Sequence, residues 1–390
     1  MGYQFIDKQQ DLDLAVSVMG RSQYVSVDTE SSSFYTYESE LCLIQISASG
    51  KNYLIDPLSN LTVDGLAEIF ANPSIVKVMH TAASDISELR RLRKFKFENL
   101  FDIMVGCRML GFVSCSLVSL VKHYTGRDLE KTEQKSNWKK RPLTASQMEY
   151  AHRDTIYLEE IMKAMKVEIE KFGFADEFAE DMIRIIKESY PVERIYDHDS
   201  WKHVPGAFQL SPIGRGFLKA LLEIRESRAR KDNIAPFRLG SNDALLNVAE
   251  RMPDSISELS TFGLHPDFVR KEGERILEMR NKSPQITNAD SPREKRKPPD
   301  PALARLKKWR KDVAEYRGFE PSIILSNRQL EAIMEARPST MEDLARLDLL
   351  TDWKLEHYGP MVLSVLAGKE PPLGDLKRLP PERRRPQISG

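Results

Sequence analysis

YVSVDT, residues Tyr24–Thr29, is the stretch on which the fold turns. Its β-branched residues alternate with polar ones, the pattern of a strand with one buried face. The next residue is Glu30. A period of two then puts Asp28 and Glu30 on one face, with Cα atoms about 6.6 Å apart. Two carboxylates beside a buried sheet are costly unless paired, so this face calls for a cation. Alone, an Asp-x-Glu pair is ordinary, because most such pairs are exposed loop acids.

Moving outward, Leu41–Ala48 (LCLIQISA) reads as a buried strand, and Asn52–Ile55 (NYLI) as a short one before the Asp56-Pro57 turn. Ile75–Met79 (IVKVM) reads as another. The first three strands lie close together, as hairpin-connected strands do. Helical periodicity follows at Asp85–Lys94, Ser116–Thr125, Thr144–Lys171 and Glu177–Ser189. Strands first and interleaved helices after predict an α/β or α+β layer fold.

From about Ser211 the strand signals stop and helices take over. A shift of 85 positions lays Arg225 on Arg310, Pro236 on Pro321, Ser241-Asn242 on Ser326-Asn327 and Pro253 on Pro338. Ser241 and Ser326 each precede a helical pattern and can cap it. Two related helical domains of roughly 70 residues explain the repeat. Between them, Asn281–Pro301 is rich in Pro and charge, the composition of a flexible linker. The tail beyond Gly368 has the same character, and its Arg383-Arg384-Arg385 run could touch phosphates. The predicted boundaries are a front domain at 1–190, a connector at 191–208 and a helical domain at 209–280. A linker at 281–301, a second helical domain at 302–368 and a disordered tail at 369–390 follow.

The 390 residues are 41% apolar and 30% charged, which fits two or three globular domains rather than a disordered chain. The 58 basic and 58 acidic side chains cancel, which excludes a uniformly basic coat but not a local one. Residues 1–190 carry 23 Lys and Arg against 28 Asp and Glu, leaving 35 against 30 behind them. That asymmetry hints at a cation site in front and a polyanion grip behind, or at nothing more than ordinary surface charge. No apolar run of membrane length occurs, and MGYQFIDKQQDLDLAV is too polar for a signal peptide. Cys42, Cys107 and Cys115 are few, odd in number and outside any CxxC pair. A disulfide framework is not expected, and a reduced, cytoplasmic setting fits. No heptad or interface stripe appears, so a monomer is expected.

Two further acids and a phenol join the Asp28–Glu30 pair. Asp85 follows the strand that ends near His80 and opens a helix, where an acid also suits the dipole. Tyr150 and Asp154, four apart on a helix, share a face. Four carboxylates are the donors that Mg²⁺ or Mn²⁺ wants, and phosphoryl substrates supply the remaining oxygens. Two such ions about 3.5–4 Å apart can hold a nucleophilic water and a leaving oxygen in line, and a phenol can orient the water. Phosphodiester hydrolysis fits this set best.

Asp28, Glu30, Asp85 and Asp154, with Tyr150 four before the last Asp, resemble the DEDD exonuclease superfamily in its tyrosine subtype. The histidine subtype has its His five before that Asp, and position 149 here is Glu. Leu43-Ile44-Gln45-Ile46, Ile55-Asp56-Pro57-Leu58, His80 five before Asp85, and Trp138…Arg141-Pro142-Leu143 are similar to the bacterial ribonuclease D family. The helical repeats look like its two HRDC domains. The resemblance covers nearly the whole chain except linker and tail. It implies an RNase H-like mixed sheet with flanking helices, followed by two all-α HRDC-like domains. It also implies a two-metal 3′→5′ exoribonuclease that releases 5′-mononucleotides and trims precursor tRNA with a single-stranded 3′ end. Asp28 would bridge both metals, Glu30 and Asp154 would complete the first site, Asp85 would serve the second, and Tyr150 would orient the water. His152 and Arg153 depart from the small residues expected beside that tyrosine.

The segment Lys131–Arg141 (KTEQKSNWKKR) places Lys135, Trp138, Lys139, Lys140 and Arg141 just before the Tyr150 helix. Basic residues with an interleaved aromatic can hold phosphates and stack a base. With His80, they are the expected substrate contacts; a solvated connector with Trp138 in the core is the competing reading. RNA over DNA rests on the resemblance, since nothing in the sequence reads a 2′-hydroxyl. A DNA exonuclease with the same site, or a catalytically silent RNA-binding protein, is the alternative.

Overall fold

The computed structural model describes residues 2–130, 132–287 and 300–380. Lys131 of the basic segment, most of the expected linker and the Arg383-Arg384-Arg385 run lie outside the described residues.

The front of the chain builds one six-stranded sheet. Its strands are β1 (Gln4–Ile6), β2 (Tyr24–Ser31), β3 (Leu41–Ala48), β4 (Lys51–Ile55), β5 (Val76–Met79) and β6 (Leu100–Asp102), in the order β1-β4-β3-β2-β5-β6. The sheet is mixed. β3 and β4 are antiparallel, joined by a two-residue turn in which Ser49 and Gly50 both adopt positive φ. β1 runs parallel to β4, and β2, β5 and β6 are parallel in sequence. The strands at β2, β3, β4 and β5 are those the alternation predicts. β1 and β6 have three residues each and lie at the sheet edges, too short to show a period.

β2 sits inside the sheet, so Val25 and Val27 are fully buried while Asp28 and Glu30 stay half-buried. Among the described residues, eight α-helices accompany the sheet before the first helical repeat: α1 (Gln9–Met19), α2 (Leu66–Ala71), α3 (Ala82–Leu92), α4 (Ile103–Met109), α5 (Leu117–Thr125), α6 (Ala145–Arg153), α7 (Leu158–Lys171) and α8 (Ala175–Glu188). Their starts follow side-chain chemistry. Ser116 caps α5, and Thr144 with Gln147 forms a capping box at α6.

The single helix expected over Thr144–Lys171 is two helices. The chain leaves the helix at Asp154 and resumes it at Leu158. The break buries Thr155, whose hydroxyl lies 2.7 Å from that of Ser47 on β3. A β-branched hydroxyl with a better partner off the helix favours such an interruption.

The thiol expectation needs one correction. Cys107 of α4 and Cys115, just before α5, are joined by a disulfide, because the chain reverses through Gly111 at φ +74°. It is one local link rather than a framework, and the buried Cys42 takes no part in it.

The two helical repeats match element for element at the 85-residue shift. Pro236–Leu239 answers Pro321–Ile324, and Asn242–Arg251 answers Asn327–Ala336. Met252 and Arg337, the paired residues after these helices, both take left-handed backbone. Arg225 Nη1 donates to Gly240 O at 2.7 Å, and Arg310 Nη1 donates to Leu325 O at 2.8 Å, the same bond in each copy.

The described chain divides into two compact units. One combines residues 2–30 and 41–191 with the second helical repeat from 300 to 380. There Leu306, Val313 and Val362 share a core with the sheet and its helices. Arg317 is fully buried, pairs with Glu177 of α8 at 2.8 Å, bonds the Tyr358 hydroxyl and lies over the Phe319 ring. Lys354 holds both oxygens of Asp181 at 2.7 and 2.9 Å. The other unit comprises residues 31–40 and 192–287 of the described chain, with the first helical repeat. Its core holds Trp201, Phe217 and Phe268, and Tyr37 donates to Glu226 at 2.5 Å.

Candidate active site

The carboxylates converge from three elements. Asp28 and Glu30 project from the same face of β2, and Asp154 ends α6 beside them. One carboxylate oxygen from each of these three lies within 4.8 Å of the others. Asp85, in the first turn of α3, is buried and accepts a 2.6 Å bond from the Thr29 hydroxyl. All four acids and Tyr150 line one cavity of about 780 Å³.

Electrostatics follow from the crowding. Burial pushes the Asp28 carboxyl up from 3.8 to about 7. Burial also drives Glu30 well above the usual carboxylate range, reinforced by the charges of Asp28, Asp154 and Asp85. Asp85 is raised by burial and by Asp28, and the Thr29 bond opposes the rise. Tyr150 is raised by burial and by Asp154, Glu30 and Asp28, and its O–H donates to Asp154. It therefore stays a neutral donor at working pH. The gathered hard oxygens of Asp28, Glu30 and Asp154, with the ionisation of Asp28 and Glu30 suppressed, are the donor set of a divalent cation.

Residues that no sequence pattern marked hold this set in place. Asp102 at the end of β6 accepts from the backbone N–H groups of Thr81 and Ala82 at 3.2 and 2.9 Å, and from Met104 at 2.8 Å. One carboxylate thus ties the starts of α3 and α4 together. The faint signal for it was an Asp directly ahead of an apolar helical run. Thr81 has φ +70°, a strain that this clasp secures.

The other expected contacts divide. His80 lines the cavity, with Nε2 at 2.8 Å from Cys115 O. Lys135 and Lys139 are exposed. Trp138 presents no ring face to solvent, because it is 1% exposed and packs with Cys42, Leu43, Leu54 and Ala151. Its ring lies 6.1 Å from that of Tyr150, so it buttresses the phenol. Arg141 is also structural. Its guanidinium clamps both Asp56 oxygens at 2.7 Å and the carbonyls of Trp138 and Cys42. His152 is buried beside Tyr3, and Arg153 pairs with Glu149 at 2.8 Å.

Comparison with known proteins gives the following. The 3′-5′ exonuclease family model matches residues 3–170, and the HRDC domain model matches 215–279 and 300–366. The chain is 27% identical to ribonuclease D of Escherichia coli over 367 residues, 91% of this chain and 96% of that one. It is 30% identical to protein RRP6-like 1 of Arabidopsis thaliana over 269 residues, 66% of this chain and 42% of that one. The crystal structure of Escherichia coli RNase D, an exoribonuclease involved in structured RNA processing, superposes with TM-score 0.63. The match has 25% identity and covers 95% of this chain and all of the other.

Proposed function

We infer that this chain, which belongs to the ribonuclease D family, is a 3′→5′ exoribonuclease that hydrolyses the terminal phosphodiester of RNA and releases 5′-mononucleotides. The observation that carries the chemistry is the meeting of Asp28, Glu30, Asp85, Asp154 and Tyr150 in one cavity. These side chains come from residues spread over more than a hundred positions. Their mutual repulsion is relieved by held protons or by a cation that answers the charge.

The donor set fits Mg²⁺ or Mn²⁺. Asp28, Glu30 and Asp154 would hold one ion, and Asp85 with Asp28 a second. Bound there, the ions supply Lewis acidity for the attacking water and the departing oxygen. The protein's own groups do the rest. Asp28, Glu30 and Asp85 give up protons when a cation binds, because burial has raised their affinity for protons. Tyr150 does not act as a base, since its proton is held too tightly. Its O–H, held by Asp154 in this structure, would be released to a water or phosphate oxygen once Asp154 holds an ion, and would then fix the line of attack. Water adds to phosphorus, the P–O3′ bond breaks, the departing oxygen takes a proton, and the shortened strand ends in a new 3′-hydroxyl.

Precursor tRNA with a single-stranded 3′ tail is the proposed physiological class, acted on by a monomer. Mass spectrometry of products from such an RNA tests the reading. Nucleoside 5′-monophosphates, lost in Asp85→Asn, are expected. Nucleoside 3′-phosphates, or cleavage of the matched DNA alone, would overturn it.

A further inference from the structure

The exonuclease chemistry leaves one side chain of the cavity unused. Arg108, in the last turn of α4, lines the same cavity as the carboxylates and Tyr150. Among the described lining residues it is the single Lys or Arg, set among Asp28, Glu30, Asp85, Asp154 and Glu320. Its Nε lies 3.3 Å from Oε2 of Glu320, while Oε1 of Glu320 accepts from the Ser322 hydroxyl at 2.9 Å.

Glu320 comes from the second helical repeat. At the 85-residue shift its counterpart is Ala235, which precedes the matching proline in the first repeat. The helical module therefore has no need of a carboxylate here. Arg317, three residues earlier, is anchored on Glu177 of α8 and holds this part of the repeat against the catalytic unit.

The Arg108–Glu320 pair is exchangeable. Both side chains are partly open, 38% and 31% exposed, and an ion pair in that setting contributes little. A phosphodiester is the better partner, because the guanidinium fork takes two phosphate oxygens at once. A fixed positive charge at the cavity wall also draws an RNA backbone toward it.

We propose that Arg108 is a substrate-phosphate ligand of this cavity, and that Glu320 of the second helical repeat is the carboxylate it exchanges for RNA. The proposal rests on the exoribonuclease reading. Arg108 positions the strand and takes no part in bond breaking. Glu320 occupies the guanidinium until a phosphate displaces it, and so weakens binding of every substrate slightly.

The test is steady-state trimming of a single-stranded RNA in Mg²⁺ over a KCl series, with wild type, Arg108→Gln, Arg108→Lys, Glu320→Gln and the Arg108→Gln/Glu320→Gln double variant. Arg108→Gln is expected to raise KM roughly tenfold or more with kcat nearly unchanged. The slope of log(kcat/KM) against log[KCl] is expected to flatten by about 0.7, the signature of one lost contact to single-stranded phosphate. Arg108→Lys keeps the slope and loses part of the affinity. Glu320→Gln lowers KM by up to about fivefold, and this gain vanishes in the double variant.

If Arg108→Gln trims with unchanged KM and slope, the proposal is wrong and the exonuclease reading stands. If Glu320→Gln raises KM as Arg108→Gln does, the pair is only a clamp and the proposal is again wrong. If Arg108→Gln fails to fold, the Glu320→Gln gain and the Arg108→Lys slope decide. If wild type trims no RNA, the underlying reading fails instead.

Discussion

Replacing Asp28 with Asn is expected to stabilise the metal-free protein while destroying its ability to gain stability from divalent cations. Burial raises the Asp28 carboxyl from 3.8 to about 7. A rise of about three pH units opposes ionisation by ~4 kcal/mol. The cavity is open to water, so half of that, about 2 kcal/mol, is the working figure. The sign follows from linkage. A carboxyl whose folded pKa lies above its unfolded value contributes nothing below about pH 4, where both states hold the proton. Its penalty grows as pH rises toward 7 and is constant above. Removing it also relieves Glu30 and Asp85, both of which Asp28 pushes upward. Thermal melting of chelator-treated protein should therefore show Asp28→Asn above wild type by a few degrees at pH 8. The gap should close near pH 4. Millimolar Mg²⁺ or Mn²⁺ should raise the wild-type midpoint and leave the variant unmoved. An Asp28→Asn protein that melts below wild type at pH 8 without metal would refute the reasoning, because the carboxylate would then be a favourable partner rather than a strained one.

Three other outcomes are expected. Tyr150→Phe should lower kcat at least tenfold with KM little changed, read by initial rates, since the phenol orients rather than binds. Trp138→Ala should cost about 3–5 kcal/mol in urea unfolding and also reduce kcat, because the indole fills a core and backs Tyr150, whereas Lys139→Ala should leave stability intact. Arg317→Met should destabilise by about 3–5 kcal/mol by stranding the buried Glu177, with much of the loss recovered by adding Glu177→Gln, as a double-mutant cycle of melting curves would register.

The candidate catalytic face was legible because its signals are local and periodic. Asp28 and Glu30 obey the period of a strand, and Tyr150 and Asp154 that of a helix. The helical repeat was legible because Pro236 and Pro321 start equivalent helices and Ser241 and Ser326 cap equivalent ones. What escaped is long-range. A buried Trp138 was one of the two readings of its segment, but Arg141 looks like a nucleic-acid grip in one dimension, and Asp56, 85 positions earlier, draws its guanidinium inward. Asp102 has no pattern that announces a clasp between two helix starts. The Thr144–Lys171 periodicity runs unbroken through Asp154–Tyr157, because the partner of Thr155 is Ser47 on a distant strand. Arg317–Glu177 and Lys354–Asp181 join sequence-distant domains through residue types that usually sit on surfaces.

The central claim is that the gathered carboxylates cut RNA from its 3′ end. It is tested most directly by incubating the protein with a 5′-labelled structured RNA carrying a single-stranded 3′ tail, in Mg²⁺ or Mn²⁺, and resolving the products by size beside Asp154→Ala and a chelated control. A ladder that shortens one nucleotide at a time from the 3′ end, and disappears in both controls, is the expected result. Intact RNA in every ion, or an unchanged ladder from Asp154→Ala, contradicts the account.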